Sequence, residues 1–344
     1  MAEHSDIEWT DATWSPTLGC KRVSEGCDGC YAIRTVHRMA HNPHPKVSAA
    51  AAGLTEHRDG RLDWTGVVRS LPDRLNLPLR WRKPRRIFVD SQSDLFHDGV
   101  TDKFLARVWQ VMAATPQHTY QILTKRPARM RAWLRRCAPW DGYVTHNGKA
   151  PGAYNDDADK GIIVGYLPST VTKHYGPRAK GGPRTETRQV GSWPLSNVWL
   201  GTSVENQRWA DIRIPALLDT PAAVRWLSCE PLLGPVDLTP WIDPPLLCEC
   251  HDEDIATGSR PGCTLACRQL DGDARLHWVV VGGESGPGAR PMDLAWAAGL
   301  VEQCAAAGVP AFVKQLGSCW GRAHHDIGQF PPNLRVREYP AAAS

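Results

Sequence analysis

The stretch PTLGCKRVSEGCDGCYAIR puts Cys20, Cys27 and Cys30 in one short loop, spaced C-x6-C-x2-C, each directly after a glycine. Thiolates are soft ligands that suit zinc and iron–sulfur clusters. A structural zinc site takes four ligands, usually as two pairs, so a distant cysteine or histidine would have to complete this one. Three thiolates can instead hold three irons of a 4Fe–4S cube and leave the fourth iron open to a small molecule. Gly19, Gly26 and Gly29 let the backbone wrap closely around such a group. Lys21 and Arg22 favour the thiolate form and offset a cluster's negative charge. The spacing by itself leaves zinc and iron both open.

A second group, CECHDEDIATGSRPGCTLACR, carries Cys248, Cys250, Cys263 and Cys267 as C-x-C-x12-C-x3-C, with His251 adjacent. Four thiols in one insertion can form a tetrahedral zinc site or hold an auxiliary iron–sulfur cluster, with zinc the better match and a reduced loop the alternative. Cys137, Cys304 and Cys319 read as isolated core thiols.

The elements that must position these groups are legible as short apolar runs ending in polar residues. They are RRIFVDSQSD (85–94), HTYQILTKRP (118–127), SNVWLGTSVE (196–205), AAVRWLSCEP (222–231), LHWVVVGGES (276–285) and GVPAFVKQLG (308–317). Each apolar core has the length of a buried parallel strand. Between them, TDKFLARVWQVMAA (101–114) has Thr101 or Asp102 as N-cap, and PMDLAWAAGLVEQCAAAG (291–308) ends on Gly308 as a helix stop. Strands alternating with helices mean βαβ units and a parallel sheet. Six strands plus one near the N-terminus favour a full or partial barrel, with its site at the strand C-terminal ends. Residues 1–320 are expected to form one domain, followed by a tail over 321–344. It carries insertions at 141–193, read as basic, Tyr- and Gly-rich loops, and at 243–275, the second cysteine group.

The chain has 344 residues, a net charge of +4 and eleven cysteines. It opens without a basic or strongly apolar leader, and no run approaches the ~20 apolar residues that span a bilayer. The expected setting is the cytoplasm, away from membranes, where clustered cysteines are metal ligands rather than disulfides. Basic residues concentrate in RWRKPRR (80–86) and KRPARMRAWLRR (125–136), with Trp81 and Trp133 interleaved. Local clusters of this kind are a footprint for nucleic-acid phosphates, with aromatic rings to stack on bases. The alternative is a solvated helix face.

Three cysteines in one loop with Tyr31 directly after the last resemble the radical S-adenosylmethionine (SAM) superfamily, where the commoner spacing is C-x3-C-x2-C. A phage- and bacterium-associated family of three-cysteine-motif proteins, of poorly defined role, is the closer resemblance. The blocks that carry it are IEWTDATWSPTLGCKRVSEGCDGCYA, RIFVDSQSDLFHD, QILTKRPARM, NVWLGTSVENQ, SCEPLLGPV and VVVGGESGPGARPM. The resemblance implies a (β/α)6 partial TIM barrel. It also implies a 4Fe–4S cluster on Cys20, Cys27 and Cys30 that chelates SAM, a reducing electron donor, and hydrogen abstraction by a 5′-deoxyadenosyl radical. Tyr31 would flank the cofactor. Ser91, Ser93 and Asp94 would receive the SAM ammonium, as the corresponding strand end does in the similar spore photoproduct lyases. Thr124 and Lys125 would hold its carboxylate, and Ser203 and Glu205 its ribose. Gly282, Gly283 and Glu284 match a Gly-Gly-Glu motif that binds the SAM ammonium elsewhere in the superfamily. There it follows the second strand, whereas here it follows a late one, where the glycines would let backbone approach adenine or substrate. Cys229 and Glu230 would act on the substrate, with the thiol as a hydrogen-atom donor. The implied activity is repair or modification of DNA, RNA or a nucleotide. Two other classes stay open: a zinc-containing nucleic-acid-binding protein without catalysis, and an iron–sulfur redox sensor.

Overall fold

The structure is a computed structural model that describes residues 4–137, 170–175, 184–189, 193–242, 275–321 and 324–341. Seven strands form one sheet: β1 (Ala12–Trp14), β2 (Arg86–Val89), β3 (Thr119–Thr124), β4 (Val198–Ser203), β5 (Val224–Cys229), β6 (Trp278–Gly282) and β7 (Ala311–Gln315). Their spatial order is their order in the chain. β1–β2, β2–β3, β3–β4, β5–β6 and β6–β7 pair in parallel. All seven expected strands are present, and β4, β5 and β6 are buried along their whole length. That explains why they read as continuous apolar runs rather than alternating ones.

Helices α1 (Tyr31–Ala40) and α2 (Pro45–Ala51) follow the cysteine loop. α3 (Asp102–Ala114) joins β2 to β3, and α4 (Pro127–Cys137) leaves β3. α5 (Gln207–Leu218) joins β4 to β5, and α6 (Leu294–Ala306) joins β6 to β7. Thr101 is the N-cap of α3, its hydroxyl accepting from the Phe104 N–H at 3.2 Å. α3 buries Phe104, Leu105, Val108, Trp109 and Met112, the stripe expected of a helix laid on a core. α6 starts three residues later than expected, at its Asp293 cap. Gly308, two residues past its end, is left-handed at φ +66°, a helix stop that an L side chain disfavours.

The chain divides into two compact units, one built on residues up to Thr202 with Thr220–Val224, the other on Ser203–Asp219 and Arg225–Ala341. The expected loops of 141–193 contain an antiparallel pair of strands, Thr170–Tyr175 and Arg184–Gln189. Cys248, Cys250, Cys263 and Cys267 lie outside the described residues. No helix among the described residues is long and apolar enough to cross a membrane.

Candidate functional site

In the first unit the cysteine loop is stitched to the C-terminal end of β2. Thr17–Leu18 pairs antiparallel with Arg69–Ser70, and Gly19 bridges in parallel to Ser93. Gly19 sits at φ +90°, and any Cβ there would collide with the Val67 carbonyl. The Tyr31 hydroxyl donates to the Ser91 carbonyl at 2.8 Å, closing the far side of the loop.

Beneath the loop lies a chain of hydroxyls that ends on a buried carboxyl group. Ser93 Oγ donates to the Gly19 carbonyl at 2.7 Å, so it must accept from Thr17 Oγ1 at 2.8 Å. Thr17 Oγ1 then has no proton left for Asp90 Oδ2, also 2.8 Å away. One Thr17 proton thus faces two acceptors, an arrangement that favours the protonated form of Asp90, which can donate to Thr17 Oγ1 in turn. Its other oxygen accepts from the Thr17 N–H at 3.0 Å. Burial pushes its pKa up to about 7, with the Asp94 charge adding to the rise. Asp90 is left-handed at φ +59°, a conformation that Asp tolerates better than most residues.

Around the thiols the charges differ from expectation. Cys27 is buried, while Cys20 and Cys30 are half-buried and pack against the cluster around Leu18, Ile33 and Leu54. Desolvation pushes the Cys20 thiol up to about 12 and raises Cys30 as well. The cation at Cys20 is Arg126, whose Nη1 lies 3.9 Å from Sγ, and Lys125 lowers the Cys30 pKa through its charge. Arg22 shapes the loop instead, binding the Cys27 carbonyl (2.7 Å), Asp28 (2.9 Å) and Asp63 (2.7 Å). Bare thiolates are costly in this setting, and a soft metal that replaces their protons relieves that cost. Among the described residues no group of three or more His, Cys, Asp or Glu side chains closes on a single metal ion. A 4Fe–4S cube makes no such demand, because each thiolate binds its own iron. Three thiols flanked by two cations fit that donor set.

The strand-end residues next to the loop come together as one network. Asp94 accepts from Arg126 Nη1 (2.7 Å), Thr124 Oγ1 (2.8 Å), and the N–H groups of Phe96 (2.9 Å) and Lys125 (3.2 Å). Its carboxylate, expected to take an ammonium, is here engaged by a guanidinium. Arg126 also donates to the Lys21 carbonyl at 3.0 Å, so one side chain ties β3, Asp94 and the cysteine loop. Sequence reading placed Arg126 only in a basic run and missed Thr17 and Asp90. The one signal for Asp90 was its place beside the expected site in VDSQSD.

In the second unit several candidates serve structure. Ser203 gives its carbonyl, and Glu205 its carboxylate, to the buried Arg213 at 2.8 Å each. Arg213 also lies 4.1 Å from the Trp209 ring centroid. Both residues are buried, and Glu205 is held in an ion pair. Cys229 is fully buried, and that burial pushes its thiol pKa up. Glu284 is clasped by Arg290 through Oε1 (2.6 Å) and Oε2 (3.0 Å). A Cβ on Gly283 would stand 2.5 Å from the Leu316 carbonyl, so that glycine admits protein backbone rather than a ligand. Glu230 remains, held by Lys314 Nζ (2.7 Å) and Gln315 Nε2 (3.2 Å), with Gly282 packed against its side chain.

The basic segments are also partly consumed. Trp133 is 1% exposed and packs on Trp109 at 4.8 Å, so it cannot stack on bases. Arg136 pairs with Asp102, Arg86 with Asp11, and Arg129 donates to the His97 and Val100 carbonyls. Arg80, Arg82 and Lys83 are exposed. Cys137 and Cys304 are buried as expected, whereas Cys319 is exposed.

Residues 4–335 match the model of a family described as "Protein of unknown function (DUF5131)", and the chain belongs to that family. No curated protein and no solved structure matches it significantly.

Proposed function

We propose that this protein is a radical SAM enzyme whose 4Fe–4S cluster is held by Cys20, Cys27 and Cys30. The observation that carries this reading is the seating of three free thiols, flanked by Arg126 and Lys125, at the C-terminal ends of β2 and β3. That is where a parallel α/β sheet offers its reactive edge. A zinc site would need convergence on one ion. When bound, the cluster and SAM supply a 5′-deoxyadenosyl radical for hydrogen abstraction. The chain's own residues hold the loop in register and balance its charge. Thr17, Asp90, Ser93 and Tyr31 fix the backbone, and Arg126 offsets the charge on the Cys20 sulfur. Asp94 orients Arg126 and is the natural acceptor for an amino group that displaces it.

In this reading the sheet and its helices belong to a (β/α)6 partial barrel, and the enzyme works in the cytoplasm with an external electron donor. Its substrate is DNA, RNA or a nucleotide, with Arg80, Arg82 and Lys83 as the exposed cations suited to phosphates. The test is turnover. After anaerobic reconstitution, reduction in the presence of SAM releases 5′-deoxyadenosine, and a Cys20→Ala, Cys27→Ala, Cys30→Ala variant releases none. Release by that variant, or none from the iron-loaded wild type, overturns the reading.

A further inference from the structure

The second unit holds one charged constellation that no structural pairing exhausts. Lys314, in β7, puts Nζ 2.7 Å from Glu230 Oε1, just past the end of β5. Their side chains are 17% and 18% exposed, mostly desolvated yet reachable. Gln315 Nε2 donates to the same Oε1 at 3.2 Å and to the Gly283 carbonyl, while its Oε1 accepts from the Gly317 N–H at 2.7 Å. The Gln315 amide is thus pinned at both ends and fixes Glu230, which fixes Lys314. Both donors converge on Oε1. Glu230 Oε2 has no protein partner among the described residues, and neither do two of the three Lys314 protons. A largely buried ion pair is weak evidence of a stabilising role. This one keeps an acceptor and a donor side by side, preorganised by a supporting residue.

We propose that Glu230 and Lys314 bind the hydrogen-bonding edge of a nucleobase. An isolated anion is repelled by Glu230 and an isolated cation by Lys314. A neutral planar edge carrying an N–H beside an acceptor satisfies both: Oε2 takes the N–H, and Nζ donates to the acceptor. Nucleobases carry that pairing on every Watson–Crick edge. The exposed Arg80, Arg82 and Lys83 on the same chain favour a nucleic acid over a peptide carboxamide. The inference deepens the nucleic-acid side of the proposed function and makes no use of the cysteine loop.

The test is equilibrium binding of uridine to the full chain at millimolar concentrations, beside 3-methyluridine, which lacks the N–H, and acetamide. Uridine binds, and 3-methyluridine binds about tenfold more weakly or worse, the loss typical of one broken base contact. Glu230→Gln keeps the shape. Lys314 and Gln315 hold the amide oxygen in the place of Oε1, so an NH₂ donor stands where Oε2 accepted. This variant loses uridine by the same factor. If it fails to fold, Lys314→Met supplies the same comparison from the donor side. Equal binding of uridine and 3-methyluridine, binding of acetamide as tight as uridine, or no binding of uridine overturns the proposal. The variant lacking Cys20, Cys27 and Cys30 still binds uridine, so failure of the cluster reading and failure of this one are separable.

Discussion

At the scale of single residues the site is organised by protons and cations that the sequence does not display. Asp90 looks like any acid in VDSQSD, yet the hydroxyl chain to Gly19 favours its neutral form, and burial raises its pKa to about 7. An acid whose folded pKa is raised contributes its full stability below the unfolded value of about 3.8. That contribution is lost as pH climbs through the folded value. Asn at position 90 donates to Thr17 Oγ1 as the protonated acid does and tolerates the left-handed backbone. We therefore expect Asp90→Asn to match the wild type near pH 4 and to become progressively more stable than it up to about pH 7, with the gap constant above. Chemical denaturation at several pH values checks this. A gap that narrows with rising pH refutes the neutral assignment. Arg126 makes the same point differently: a basic run is visible in sequence, but which member turns inward to Asp94 and Cys20 depends on the geometry of the β3–α4 turn.

At the scale of elements most of the fold was legible. Continuous apolar runs with polar ends give six of the seven strands, because strands buried on both faces have no polar alternation to hide in, whereas the three-residue β1 is too short to stand out as a run. Caps were legible where one side chain makes one bond, as at Thr101. Illegible were contacts set by the approach of two distant backbones. The two glycines of VVVGGES read as a ligand cradle, whereas Gly283 makes room for Leu316 and Gly317, and Glu284 turns to Arg290. Gly283→Ala should destabilise by about 1–3 kcal/mol, the usual cost of forcing a methyl into packed backbone. Gly299→Ala, inside α6 with open space around its Cβ position, should stabilise by about 0.4–1 kcal/mol. Thermal unfolding of the two variants side by side decides the matter, and equal midpoints would contradict the packing argument.

At the scale of the whole molecule, a net charge of +4 conceals an uneven use of cations. Arg126 and Arg129 turn inward to protein acceptors, while Arg80, Arg82, Lys83, Arg135 and Arg136 are exposed, a division that counting residues cannot reveal. The cysteine loop is the reverse case: its three thiols are plain in the sequence, and what the fold adds is a seat at two strand ends with a cationic flank. Because ligand thiols must lose their protons to bind metal, loading this loop also draws on folding energy. The central claim is therefore tested most directly on the purified, anaerobically reconstituted chain, by iron content and the EPR spectrum of the reduced protein before and after SAM. The expected result is a brown protein with about four irons at the three-cysteine site and a signal that changes when SAM is added. A colourless protein that takes up only zinc, or a cluster signal indifferent to SAM, would contradict it.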